Sequence, residues 1–584
     1  MTPGRARSDG LCRTVARWLF PGSFILTLPL AFSFAQTASS SAAQVFSHSD
    51  TLRGMLTPER RCYDVRFYDM DVTIDPARRT IAGSNVILFS VDSSFDRMQI
   101  DLFANLQIDT ITLDGDPSPL PYRRDSNACF VQLSRKLEQN TVHRLRVAYS
   151  GQPVEAKNPP WQGGFTWGTD SASGHPWVVV TCEGIGASLW WPNKDHLSDK
   201  PDSMQIGVTV PDSLMDVSNG RLRAVTPVRP GWTRYTWFVS YPINNYNVTV
   251  NIGAFSHFSD QLPPGRGRET LALDYYVLPG HLERARKQFR QVKPMLAAYE
   301  KFFGPYPFVR DGYKLIEAPH NGMEHQSAVA YGNGYLEGYR GRSSSDIGLE
   351  FDFIIVHESA HEWWGNSVTG ADAADMWIHE SFSAYAEALF VEEQFGREAS
   401  LRYINAKKQN VRNHEPIVGI YDVQHEGSSD MYDKGQLALN TLRSIIDNDG
   451  VWFSMLRGIQ EKFRYRSISY DSIVDFVNRT TGTDYSTFFR QYLKFPKLPK
   501  LEAIVSKKGG RSTARVRWVA DVPGFQMPVR ITTSRNHFEF IRPASQWQTI
   551  DLHGMSPEDF RVDEASFYVD VSIRKSYIDP AAPE

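Results

Sequence analysis

Residues 351–365 read FDFIIVHESAHEWWG, and residues 377–387 read WIHESFSAYAE. On a helix, His357 and His361 stand four residues apart, so they project from one face and can converge on one metal ion. Glu358 points about 100° away from that face. It is badly placed to ligate but well placed to take a proton from a water, as metal-assisted hydrolysis requires. The preceding run, Phe351 to Val356, is apolar enough for a buried helix, and Gly365 gives it a natural stop. A catalytic zinc takes three protein ligands and keeps a fourth position open, so the third ligand must come from elsewhere. Downstream, Trp377 to Phe395 has helical periodicity and ends at Gly396. Glu380 lies near its start and Glu387 two turns on, and spacing alone does not choose between them.

The two stretches together resemble the aminopeptidase N family of gluzincin metallopeptidases. That family's pattern is H-E-x-x-H, eighteen residues and a ligand glutamate, which here leads from His361 to Glu380. Trp363, Gly365, Asn366, Val368, Thr369, Asp375, Trp377 and Phe382 fall where the family's H-E-L-A-H-Q-W-F-G-N-L-V-T and D-L-W-L-N-E-G-F put them. The resemblance implies one zinc ion per chain on His357, His361 and Glu380, with Glu358 as general base. It makes Glu387 a candidate for orienting a ligand. Asp375 reads either as a second such group or as a carboxylate at a helix start.

Two further segments resemble those with which the family reads a free amino terminus. Residues 320–325, HNGMEH, are similar to the G-A-M-E-N strand, whose backbone, at Gly322 and Met323, pairs with an extended substrate. Its glutamate, Glu324, would receive the α-ammonium. Thr181-Cys182-Glu183 is similar to part of T-Q-x-E, which makes Glu183 a second carboxylate for the same amine. A charged terminus entering a partly dry cleft must be paired, and the pairing sets how far the first peptide bond sits from the metal. Residues 431–435, MYDKG, resemble Y-x-K-G, so the Tyr432 hydroxyl would face the scissile carbonyl and stabilise its developing charge.

The chain also departs from the pattern. His379 and Ser381 replace the Asn and Gly of N-E-G-F; Asn321, Gly322 and His325 replace the first, second and last residues of G-A-M-E-N; Thr181 replaces the glutamine of T-Q-x-E. None removes a ligand or the base. His325 and His379 are expected near the cleft, where they bear on pH dependence, pocket shape or a hydrogen bond to substrate backbone.

The 584 residues carry 63 basic and 66 acidic side chains without a long run of either sign, which argues against nucleic acid as a partner. Residues 1–35 read as a secretory signal: arginines at 5, 7, 13 and 17 precede an apolar run from Trp18 to Phe34. The run is short for a membrane span, so cleavage, export to the periplasm or beyond and no stable span afterwards are expected. Cys62, Cys129 and Cys182 then remain, an odd number, and no disulfide is predicted. Cys182 reads as a small buried residue rather than a nucleophile.

Periodicity divides the rest. A Ser/Ala-rich flexible lead-in covers 36–60. Alternating apolar residues, such as Tyr68, Met70, Val72 and Ile74, predict an all-β amino-terminal domain over 61–255 that carries Glu183. A mostly helical catalytic domain, thermolysin-like by the resemblance, covers 256–496, opening with an amphipathic stretch from Leu282 to Phe303. Returning alternation predicts a small carboxy-terminal β-sandwich over 497–584. The fold class is therefore multidomain α+β, with the family's large helical cap domain absent and a more open cleft expected.

Three functions fit in descending order. A zinc aminopeptidase acting on peptides with a free amino terminus uses every group named. A zinc endopeptidase with a thermolysin-like core leaves Glu183 and Glu324 without purpose. A noncatalytic peptide-binding scaffold has no need of Glu358 or Tyr432.

Overall fold

Alternation builds the amino-terminal region as expected. In the strand Tyr63–Asp75, the side chains of Tyr68, Met70, Val72 and Ile74 are fully buried while their neighbours are not, because successive residues point to opposite faces. This strand pairs antiparallel with Thr80–Val91 and parallel with Ser203–Pro211 at the centre of a seven-stranded sheet. A four-stranded sheet contains Pro176–Thr181, and Glu183 follows that strand directly. The computed structural model describes residues 45–263, 269–535 and 537–577. The signal reading of 1–35 lies outside these residues.

The catalytic region is less purely helical than the sequence suggests. It opens with a four-stranded sheet of Ser256–Leu262, Leu271–Val277, Tyr313–Glu317 and Val329–Tyr331. The amphipathic stretch expected from Leu282 to Phe303 is two helices, Leu282–Gln288 and Val292–Phe303, joined by a 3-10 turn. Pro294 explains the restart: it stands in the first turn of the second helix, where its missing N–H loses no intrahelical bond. Apolar residues of the 316–330 segment, Ile316, Ala318, Met323, Ala328 and Ala330, belong to the core of the β domain. That shared core fixes Glu324, on this segment, relative to Glu183.

After the helices, Lys500–Lys508, Arg511–Val519, Gln548–Asp551 and Asp570–Tyr577 form a four-stranded sheet beside the two-stranded ribbon Val529–Ser534 and His537–Ile541. Its inward residues, among them Leu501, Val505, Val516 and Trp518, join the core of the helical region rather than forming one of their own. Lys434 of the MYDKG segment holds the junction by donating to the carbonyls of Phe495 at 3.2 Å and Pro496 at 2.7 Å. No described helix is long and apolar enough to cross a membrane.

The lead-in expectation needs correction over its second half. Residues 48–54 are a helix with a reciprocal cap between Ser47 and Asp50, and a short second helix spans Pro58–Arg61. Arg60 is 1% exposed. It pairs with Asp101 at 2.8 Å and donates to the carbonyls of Leu52, Arg53 and Met55. A buried charge held by four acceptors is incompatible with a loose linker. Removing one member of a buried ion pair leaves its partner uncompensated. Arg60→Ala is therefore expected to cost about 3–5 kcal/mol of stability, read from the shift of the denaturant midpoint; a change below about 1 kcal/mol would return this segment to the role of a linker.

Candidate active site

The helix Phe353–Ala360 carries His357 and Glu358, and His361 is the residue that ends it. Its start is rigid. Asp352 accepts from the N–H groups of Ile354 and Ile355, and is itself fixed by Tyr331 Oη at 2.7 Å, Gln288 Nε2 at 2.8 Å and Asn333 Nδ2 at 2.9 Å. Glu380 stands in the first turn of the helix Trp377–Phe395. The His357 and His361 Nε2 atoms are 3.4 Å apart, and the Glu380 Oε2 atom lies 3.5 Å from the first and 3.6 Å from the second. A point equidistant from the three is about 2.0 Å from each, the length of a zinc–imidazole or zinc–carboxylate bond.

The surrounding hydrogen bonds agree with a cation at that point. His357 Nδ1 bonds Glu387 Oε1 at 2.7 Å, and His361 Nδ1 bonds the Trp364 carbonyl at 2.9 Å with Ser383 Oγ at 3.1 Å. Each Nδ1 has an acceptor for its proton, which would leave an Nε2 lone pair on each ring for a cation at that point. Two Nε2 atoms facing the buried Glu380 Oε2, which has no hydrogen-bond partner, form a donor set that a metal cation would satisfy.

Glu387 resolves the choice that spacing leaves open: it backs a histidine while Glu380 faces the centre. Its other oxygen accepts from Tyr403 Oη at 2.5 Å and lies 3.6 Å from Lys407 Nζ. Burial opposes its ionisation, but Lys407 and the bond to His357 outweigh it and hold the carboxyl below its usual range. Groups that orient a metal-binding histidine contribute about 10–100-fold in metal affinity. Glu387→Gln is expected to weaken zinc binding by that factor in chelator competition; unchanged affinity would make Glu387 a packing residue.

Asp375 takes no part in this shell. Its Oδ1 accepts from Tyr421 Oη at 2.8 Å and from the Tyr470 N–H at 2.9 Å, so it ties the helical scaffold together instead of orienting a histidine.

Glu358 lies against Gly322. A Cβ built on Gly322 would come within 2.4 Å of three Glu358 side-chain atoms, so the glycine that departs from the family pattern leaves the space this carboxylate fills. Burial pushes Glu358 up to about 8, opposed by His357 and reinforced by Glu324 and Glu380. Met323 departs from expectation. Both its backbone groups pair with Ala330 and its side chain is buried in the β-domain core, so it turns away from the cleft. By the alternation of strand pairing, the open edge falls at Gly322. Tyr432 is in the first turn of the helix Asp430–Ile446, its ring 6.0 Å from that of His357.

Carboxylate oxygens of Glu183, Glu324 and Glu380 all lie within 4.8 Å of one another. Burial raises both Glu183 and Glu324; at Glu183 the charges of Glu324 and Glu380 raise it further. Tyr246 Oη donates to Glu324 Oε1 at 3.0 Å. Glu426, on the loop before Tyr432, adds another acidic group close to Gly184. Neither Tyr246 nor Glu426 has a sequence signal: each reaches the site across the fold from an unremarkable local context. Ser381, another departure, donates to the Met431 carbonyl at 2.7 Å and so braces the turn that carries Tyr432. His325 is buried with no partner on either ring nitrogen, and burial lowers it to about 3. Cys62, Cys129 and Cys182 are free and buried, and burial raises the Cys182 thiol well out of the reactive range.

Comparison with known proteins agrees with this geometry. Residues 288–492 match the Peptidase family M1 domain. Aminopeptidase B of Mus musculus is 26% identical over 288 residues, which cover 46% of this chain and 41% of that protein. Aminopeptidase B of Rattus norvegicus is 23% identical over 397 residues, covering 64% of this chain and 55% of that one. The chain thus spans about half the length of these curated relatives. An M1 zinc metallopeptidase from Deinococcus radiodurans has the same fold, with a TM-score of 0.62 at 22% identity over 77% of this chain and 98% of that one. Metal trio, adjoining acidic pair and family match converge: residues 288–492 match the domain of the M1 peptidases, and the site around them resembles that of the gluzincin metallopeptidases of the aminopeptidase N family.

Proposed function

We propose that the protein is a zinc-dependent aminopeptidase that removes the first residue from peptides, with one zinc per chain held by His357, His361 and Glu380. The observation that carries this reading is the crowding of Glu183 and Glu324 beside Glu380. Three carboxylates at such range, Glu324 and Glu380 buried and Glu183 half-buried, repel one another unless cations intervene. One cation at the histidine trio answers for Glu380, and a substrate ammonium answers for the other two. An amine fixed there leaves room for a single residue before the metal, which favours removal of the terminal residue over internal cleavage.

A zinc ion in this trio supplies Lewis acidity, lowering the pKa of water and polarising a carbonyl. Glu358 takes the proton from the attacking water and passes it to the leaving amine. Burial and the nearby carboxylates raise the Tyr432 hydroxyl far above its ordinary range, so it stays protonated and donates to the carbonyl oxygen as charge develops there. The edge at Gly322 pairs with the substrate backbone. Residues 1–35 support export of the chain.

The order of products tests the reading. Zinc-loaded protein incubated with a pentapeptide should release residues singly from the amino end, followed by mass spectrometry over time. Internal fragments appearing first would favour the endopeptidase.

A further inference from the structure

Glu324 is not held by the metal site but by a chain of neutral hydrogen bonds that begins at one of this sequence's departures from its family. The Gly370 N–H donates to His379 Nε2 at 2.8 Å. A nitrogen that accepts carries no proton, so the proton of the neutral ring is on Nδ1. His379 Nδ1 lies 3.3 Å from Tyr246 Oη and therefore donates to it. Tyr246 Oη is left with its own proton, which goes to Glu324 Oε1 at 3.0 Å. The two rings lie nearly parallel, 20° apart with centroids at 6.4 Å, and both residues are buried. The other end of Glu324 is pinned as well: its carbonyl accepts from Asn366 Nδ2 at 2.8 Å and from Asn247 Nδ2 at 3.3 Å.

We propose that His379 and Tyr246 are positioning residues for amine recognition, a buried relay that orients the Glu324 carboxylate toward the substrate ammonium. The inference rests on the aminopeptidase reading above. Every donor in the relay is uncharged, so it fixes Glu324 without neutralising it, as a lysine or arginine in the same place would. The direction is set from the far end: the backbone N–H of Gly370 forces the tautomer, the tautomer forces the orientation of the tyrosine hydroxyl, and that hydroxyl engages one carboxylate oxygen. The family's asparagine at 379 carries an amide on a shorter side chain, and the imidazole here spans from Gly370 to Tyr246.

Tyr246→Phe removes the hydroxyl and keeps the ring; His379→Phe removes both ring nitrogens. An ammonium anchor acts equally on bound substrate and transition state, so its weakening raises KM and spares kcat. Each variant is expected to raise KM for aminoacyl substrates about tenfold or more, with kcat within about threefold and zinc content unchanged, the scale of a lost hydrogen bond to a charged group. In a Glu324→Gln background the same substitutions should add little, because the group they position is already gone. An unchanged KM, a fall in kcat with the thermal midpoint, or full additivity with Glu324→Gln would each overturn the proposal by reducing the pair to packing. Equal cleavage of free and acetylated peptides by the unsubstituted protein would instead reject the aminopeptidase reading on which it rests.

Discussion

Glu358→Gln is expected to lower kcat by about 10²–10⁴-fold while leaving zinc content and fold intact. The amide has the size of the carboxyl, so the contact with Gly322 and the helix Phe353–Ala360 are preserved. What disappears is the only function the residue has outside packing, since its side chain is not one of the three that converge on the metal point. An amide does not accept a proton at these pH values, and both the deprotonation of water and the protonation of the leaving amine fail together. Steady-state rates with metal analysis on the same sample check the result. Full activity would remove Glu358 from the chemistry, and loss of zinc would mean that it supports the metal instead.

Tyr432→Phe should cost about 10²–10³-fold in kcat with little change in KM, the effect of deleting one donor aimed at a developing oxyanion. The ring that remains still packs beside His357, so the fold and the metal trio have no reason to move. The hydroxyl is the whole difference. Because burial and the surrounding carboxylates keep it protonated, the loss should be of similar size across neutral pH rather than growing as pH rises. Paired kcat measurements at several pH values test both statements. A variant that loses binding and keeps turnover would place Tyr432 on the substrate's ground state.

How much of this is visible in the sequence depends on the distance over which each feature is encoded. The spacing of His357, Glu358 and His361 is a property of one helix, and local periodicity reveals it. Glu380 and Glu387 are on one helix too, yet only the fold shows that one faces the metal point and the other the back of His357. Asp375 sits in the same stretch and bonds elsewhere, because Tyr421 and the Tyr470 N–H, neither a neighbour in sequence, claim it. Tyr246 is one of 25 tyrosines and reaches Glu324 across 78 positions of chain. Its role is a tertiary fact with no local trace. The second half of the 36–60 lead-in departs from expectation for another reason. Ser47 with Asp50, and Thr57 before Pro58, are helix-start signals, but the Ser/Ala-rich run before them suggests a linker. Met323 matched its motif letter for letter, and only the pairing with Ala330 reveals which way that residue of the strand faces.

The most direct measurement compares kcat/KM of the zinc-loaded protein on matched peptides that differ only by acetylation of the amino terminus. With Glu183 and Glu324 gathered beside Glu380, the free peptide should be cleaved at least about 10²-fold faster, because an acetylated end leaves the half-buried Glu183 and the buried Glu324 without their counter-charge. Equal rates on the two peptides would contradict the reading of this acidic pair as the seat of the substrate amine.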